Sequence, residues 1–196
     1  IQQALTALQT RQQAAQVKQL VDANRQAIES DPRDFVANPN GKITLTEFYD
    51  YRCPHCIHAA SAVLDIIHTN PNVRVVFKEF PIFGSTSDRA AALAIAVKQK
   101  GGDYLSFYHD LMNTPSLDDA AVGRIASAHG VDPAILNDPQ FKAQALSQLQ
   151  AVRQLASTLN IDGTPAFIIG DTIIPGDDIT GEHGVLAAIR ASGTKG

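Results

Sequence analysis

The chain has 196 residues, a formal net charge of −4 and no cluster of basic residues, a balance that excludes the electrostatic footprint of a nucleic-acid-binding protein. Its longest uninterrupted apolar run, Ala90 to Val97, falls far short of the roughly 20 residues that cross a bilayer as a helix. A chain of this length buries a substantial core, as one large domain or as a domain with an appendage. It begins at Ile1 rather than Met, as a processed chain does, so a leader peptide would lie outside it.

Residues 1–31 hold no Gly or Pro but eight Gln and six Ala, the composition of one long helix. Leu5, Leu8, Val17, Leu20, Val21 and Ile28 give it only a thin apolar stripe. Ile1, Leu8 and Ala15 are seven apart and hint at a heptad, which Asp22 interrupts. A helix this polar has little reason to fold alone; it either lies on its own domain or associates with copies of itself. Asp31-Pro32 ends it, because the residue before a proline is pushed out of helical geometry.

Phe35-Val36-Ala37 fits a short edge strand, and Asn38-Pro39-Asn40-Gly41 a turn. Residues 42–49 read as a strand with Ile43, Leu45, Glu47 and Tyr49 on one face, so Glu47 shares that face with apolar neighbours. Helical spacing follows in Ile57, Ala60, Val63, Leu64 and Ile67, and Asn70-Pro71-Asn72 breaks it. Val73 to Phe80, dense in Val and Phe and carrying Lys78, is a second strand. Strand, helix and strand together predict a βαβ unit, with parallel pairing and a right-handed crossover.

From Pro81 to Leu159 the composition turns Ala- and Leu-rich with helical periodicity. Ser87 is placed to cap a helix carrying Ala90, Leu93, Ala94 and Val97, and Gly101-Gly102 to stop it. Tyr104 to Met112 is a second helix, and Ser116 with Asp119 resembles a capping box opening a third. Asp132-Pro133 and Asp138-Pro139 each set a capping acid before a proline suited to the first helical position. The last helix carries Phe141, Ala145, Leu149, Val152, Ala156 and Leu159 on one stripe. Beyond it, Phe167-Ile168-Ile169 and Thr172-Ile173-Ile174 flank Gly170-Asp171, a hairpin signal that Pro175-Gly176 terminates. Thr180 fits the cap of a closing helix with Val185, Leu186 and Ile189. The expected fold class is α/β with an inserted all-helical domain and an N-terminal helical extension. The expected division is a helix at 1–31, an α/β domain built from 33–82 and 160–193, and a helical insert at 83–159.

The chemistry concentrates in Cys53-Pro54-His55-Cys56, which holds the only two cysteines, at the junction of the first central strand and its helix. A Cys-x-x-Cys there is a redox signature with a mechanism: the unpaired N–H groups and dipole at a helix N-terminus favour the thiolate, and a free thiol pKa of about 8.5 falls accordingly. Pro54 suits the first helical position. Loops this short seldom serve as structural staples, and two cysteines alone do not fix the compartment. A metal is a competing use of Cys53, His55, Cys56 and His58. Four ligands on one helical turn cannot converge on one ion, so a mononuclear site would need outside ligands, which a second chain could supply. His68, His109, His129 and His183 are scattered.

The element order, with Cys53-Pro54-His55-Cys56 after the first central strand and Gly163-Thr164-Pro165-Ala166-Phe167 before the hairpin, resembles a thioredoxin fold with a helical insertion. Over roughly residues 33–193 it looks like the DsbA family of bacterial thiol–disulfide oxidoreductases. It is most similar to the members grouped with ScsC, some of which carry an N-terminal oligomerising helix and act as disulfide isomerases.

The resemblance implies that Cys53 is the nucleophile, forming mixed disulfides, and Cys56 the more buried resolving thiol. His55 would stabilise the Cys53 thiolate. Pro165 would be cis and would set the Thr164 backbone beside Cys53 for an extended substrate; read alone, it is an ordinary trans proline opening a strand. Glu47 matches an acidic residue beneath the active site, where a carboxyl of raised pKa relays a proton to or from Cys56, and Lys78 could partner it. Thr164 leans toward isomerases of the family and His55 toward oxidases. Implied partners are cysteine-containing protein substrates, a membrane redox partner protein and further copies of the chain through residues 1–31, in the periplasm and without a cofactor. Competing readings are a monomeric dithiol oxidase, a copper- or zinc-handling protein, and a non-catalytic module binding through the groove beside Pro165.

Overall fold

A computed structural model describes residues 2–193. Its order is α1 (Gln2–Glu29), β1 (Phe35–Ala37), β2 (Ile43–Tyr49), α2 (Pro54–Thr69), β3 (Val73–Glu79), α3 (Ser85–Gln99), α4 (Tyr104–Met112), α5 (Asp119–Ala128), a 3-10 turn (Pro133–Asn137), α6 (Pro139–Thr158), β4 (Ala166–Ile169), β5 (Thr172–Pro175) and α7 (Val185–Gly193). The strands form one sheet in the order β1-β3-β2-β4-β5. β2 and β3 pair in parallel across α2, and the other neighbours are antiparallel. This is the thioredoxin arrangement with helices inserted between β3 and β4 and an added helix in front.

Helices cover both faces of the sheet, so its central strands are apolar on both sides. Leu45, Tyr49, Val75, Phe77, Phe167 and Ile169 pack with α2, α4 and α7 on one face. Phe48, Ala166 and Ile168 pack with Val21 and Ile28 of α1 and with Val152, Leu155 and Ala156 of α6 on the other. β4 and β5 turn on Gly170 and Asp171, where Gly170 takes φ +57°. That left-handed backbone is open to glycine at no steric cost.

Helix α1 lies on its own domain over its second half only. Residues 5–16 are exposed, with Leu5 and Leu8 facing outward. Its second half is docked: Val21 and Ile28 are fully buried, Lys18 and Arg25 pair with Asp171 at 2.9 and 2.7 Å, and the Thr46 hydroxyl donates to the Ile28 carbonyl. Ile1, which opens the seven-residue series, lies outside the described residues.

Three caps fall elsewhere than expected. α3 starts at Ser85 after Gly84 (φ +91°), and Ser87 is buried in its first turn, donating to Asp50 Oδ1 at 2.8 Å. α5 is capped by Asp118, whose carboxylate accepts from the Ala121 N–H at 2.7 Å, while Ser116 sits at φ +52° in the preceding turn. α7 begins at Val185, well past Thr180, with the Val185 N–H donating to the Asp178 carbonyl. Asp138 caps α6 as its sequence predicts, whereas Asp132 caps a 3-10 turn.

Candidate active site

β2 delivers the chain to Asp50, and a turn through Tyr51 and Arg52 carries it to Cys53, which is the N-cap of α2 with extended backbone (φ −74°, ψ 120°). Pro54 takes the first helical position. Asp50 is buried and holds this turn in place. Its Oδ1 accepts from the Arg52 N–H at 2.7 Å, and its Oδ2 from the N–H groups of Ile82 and Phe83 at 2.7 and 2.9 Å. The loop after β3 is thereby tied beside Cys53, with Ile82 and Phe83 exposed on it.

Across from Cys53, the Thr164–Pro165 bond is cis. The Cys53 thiol donates to the Thr164 carbonyl at 3.1 Å, so the two sequence motifs, 111 residues apart, meet at one sulfur. Beside them a groove of about 440 Å³ runs between α1 and the cis-proline loop, lined by Gln13, Val17, Asp162, Thr164, Pro165 and Pro175 among others.

The two cysteines are free thiols in opposite environments. Cys53 is held down to about 5, first by the Cys56 thiol, then by the Thr164 hydroxyl and the backbone N–H groups of Cys56 and His55, all of which favour the thiolate against burial. The Thr164 hydroxyl is buried and has no other partner, so a thiolate at Cys53 gives it one. Cys56, one turn further in and fully buried, is pushed far up by burial, then by its bond to Cys53 and by the nearby Glu47 charge.

Glu47 is fully buried on the α2 side of the sheet. Burial pushes its carboxyl up to about 8; the Tyr108 hydroxyl, donating to Oε1 at 3.4 Å, counters this, and the Glu79 charge adds to it. Its Oε2 has no partner. Lys78 does not partner Glu47. The register pairs Glu47 with Phe77 and Phe48 with Lys78, so Lys78 points to the opposite face. There its ammonium, buried, donates to Asp34 and to the Ala27 carbonyl near the end of α1.

His55 is exposed; its Nδ1 lies 3.3 Å from Asp177 Oδ2, and His58 Nδ1 lies 2.7 Å from the same oxygen. These imidazoles, His58 first, hold the Asp177 carboxyl below its ordinary range. Among the described residues no three His, Cys, Asp or Glu side chains are arranged to hold a metal ion.

Reasoning from sequence missed Asp50, Asp177, Tyr108 and Glu79. Signals existed for two of them. Tyr104 and Tyr108 are four apart on one helix face, and Glu79 alternates with Val75 and Phe77 by the two-residue period.

Comparison with known proteins agrees with this fold. A DSBA-like thioredoxin domain matches residues 44–181. The thiol:disulfide interchange protein DsbA of Bordetella parapertussis is 30% identical over 162 residues, covering 72% of each chain. A thioredoxin-like oxidoreductase from Silicibacter pomeroyi superposes with a TM-score of 0.78 at 33% identity, over 87% of this chain and 98% of its own. ScsC of Proteus mirabilis, in a transitional conformation, superposes with a TM-score of 0.80 at 26% identity, over 100% of this chain and 89% of its own. With a fold, a family match and relatives that agree, the chain belongs to the DsbA-like thioredoxin family of thiol–disulfide oxidoreductases.

Proposed function

We propose that this protein exchanges disulfides in secreted, cysteine-containing proteins through Cys53, and works chiefly as an isomerase when several copies associate. The observation that carries the reading is the asymmetry of the cysteines: a sulfur held down to about 5 at a helix N-cap against the cis-proline loop, and a buried partner thiol pushed far up. The first is a standing nucleophile and a good leaving group; the second stays protonated until it is needed.

In the reducing direction, the Cys53 thiolate attacks one sulfur of a substrate disulfide and the other leaves with the bonding electron pair. In an isomerase, a second substrate thiolate then attacks the mixed disulfide and releases Cys53 as thiolate. Otherwise Cys56 gives up its proton and attacks Cys53 Sγ, the substrate sulfur leaves with the bonding pair and takes up a proton, and the enzyme becomes oxidised. When a substrate thiolate instead opens the Cys53–Cys56 disulfide, the electron pair goes to Cys56 Sγ, which takes its proton from Glu47.

Pro54 fixes the helix start, His55 lends charge beside the sulfur, and Thr164 and Pro165 present backbone to an extended substrate segment. The exposed first half of α1, with Leu5 and Leu8 outward, is the surface offered to other copies, which would bring several active sites around one substrate. The compartment is the periplasm, where disulfides persist and a membrane redox protein resets the cysteine pair.

The test is recovery of a scrambled-disulfide protein by the reduced enzyme, run beside oxidation of a reduced protein by the oxidised enzyme. Recovery is expected; oxidation without recovery would make the protein a dithiol oxidase, and failure of both would end the enzyme reading. Cys53→Ser abolishes exchange, and Cys56→Ser accumulates mixed disulfides with substrate. The reverse pattern would exchange the two roles.

A further inference from the structure

The face of the sheet below Cys56 holds a second carboxyl that the reaction as written does not use. Glu79 ends β3 and is almost fully buried. Its Oε1 accepts from the hydroxyls of Tyr49, Tyr51 and Tyr104 at 2.6, 3.0 and 2.6 Å. Its Oε2, like that of Glu47, is buried with no partner. The parallel register pairs Tyr49 with Glu79 and Glu47 with Phe77, so the two carboxyls are diagonal neighbours on one face. The rings that grip Glu79 also position Tyr108, whose hydroxyl is hydrogen-bonded to Glu47: Tyr49 and Tyr51 meet Tyr108 edge-on at 5.2 and 6.1 Å. The groups facing this pair are Tyr49 and Tyr51 from β2 and its turn, Asp50, Tyr104 and Tyr108 from α4, and Cys56 from α2. None of these neighbours is a cation.

We infer that Glu79 is a positioning residue for thiol–disulfide exchange: its tyrosine-held carboxyl, set diagonally to Glu47 with no cation among the neighbours just named, makes Glu47 keep its proton until Cys56 requires it. The inference rests on the exchange reading above. Two like charges this close in an apolar interior cannot both ionise easily, so the pair releases protons in coupled steps. Burial has pushed both carboxyls up to about 8. Glu47 is then a proton donor at neutral pH: when substrate opens the Cys53–Cys56 disulfide, the electron pair goes to Cys56 Sγ and the Glu47 proton follows it.

The experiment is carboxyl-carbon NMR titration of the full chain labelled at glutamate, beside the pH dependence of the rate at which a thiol substrate opens the oxidised enzyme. Glu79→Gln lowers the pH at which Glu47 half-titrates by on the order of one unit, and moves the alkaline limb of the rate profile down with it. Tyr104→Phe withdraws a donor from Glu79, delays ionisation there, and lowers the Glu47 midpoint by less; it serves also if the glutamine variant fails to fold. A Glu47 midpoint unmoved in these variants overturns the inference, as does a moved midpoint with an unmoved rate profile. Absence of any exchange by the unsubstituted protein ends the functional reading and this one with it, and is seen before any substitution is made.

Discussion

The two faces of the sheet solve the problem of a buried carboxylate in opposite ways. On the α1 face, Asp34 is buried, but the Lys78 ammonium meets it and also reaches the Ala27 carbonyl. On the α2 face, the hydrogen-bond partners of Glu47 and Glu79 among the described residues are tyrosine hydroxyls. Burial raises all three carboxyls, but Lys78 opposes it at Asp34, which rises only to about 6. An ion pair fixes a charge and binds α1 to the sheet. A carboxyl among tyrosines holds its proton instead and is free to give it up. The first arrangement suits architecture and the second chemistry, and the cysteines sit over the second.

The largest break in this comparison comes from Lys78→Met. It strands Asp34 in the interior, and loss of one partner of a buried pair costs roughly 3–5 kcal/mol. Chemical denaturation should show a loss of that size, together with release of the second half of α1, read as increased hydrogen exchange around Val21 to Ile28. The Cys53 thiolate, on the other face, should titrate as before. A loss under about 1 kcal/mol would mean that the pair contributes little over a well-packed apolar contact.

Glu47→Gln should act with the opposite sign. The folded carboxyl has been raised to about 8, so the unfolded chain ionises first as pH rises. Between the ordinary carboxylate range and pH of about 8, the native protein binds more protons than the unfolded one, and stability falls with rising pH. Glutamine removes that slope. The variant should be more stable than the parent by up to about 5 kcal/mol in alkaline solution, with the gain vanishing in acid. Its disulfide should open more slowly, for want of a proton donor. Parallel stability curves for the two proteins across this range would show that Glu47 ionises normally.

How far the sequence reveals these two faces depends on the period. The alternation of Ile43, Leu45, Glu47 and Tyr49 fixes one face of β2, and Glu47 is found there. β3 is different. Val73, Val75, Val76 and Phe77 are buried on both faces, so no polar alternation shows which of Lys78 and Glu79 shares a side with Glu47. Only the register does, and register is a tertiary property. Lys78 was the natural partner by charge, and Glu79 is the neighbour by geometry. The cysteines, Pro54, Thr164 and Pro165 were legible because each belongs to a motif with a local backbone consequence. Asp50 and Asp177 were not, because what they hold lies on other loops. For α1 the thin stripe was itself the answer: Val21 and Ile28 anchor the second half, and residues 5–16 bury no apolar side chain.

The smallest effect expected is at the surface, where the buried ion pair has an exposed counterpart. Asp177 accepts from His55 and His58 beside the active-site cysteine, as Lys78 and Asp34 meet inside, but water screens the cluster. Asp177→Asn removes one negative charge from the neighbourhood of the Cys53 thiolate and frees the His55 ring to turn toward the sulfur. Both changes favour the thiolate, so the Cys53 midpoint should fall from about 5 by only a few tenths of a pH unit. Ultraviolet absorbance of the thiolate, titrated at low and high salt, reads this directly, and the difference between the proteins should shrink as salt rises. A midpoint that rises instead would mean that Asp177 holds His55 where its charge helps the sulfur, and that this surface carboxylate, unlike the buried ones, acts by aiming a neighbour rather than by its own charge.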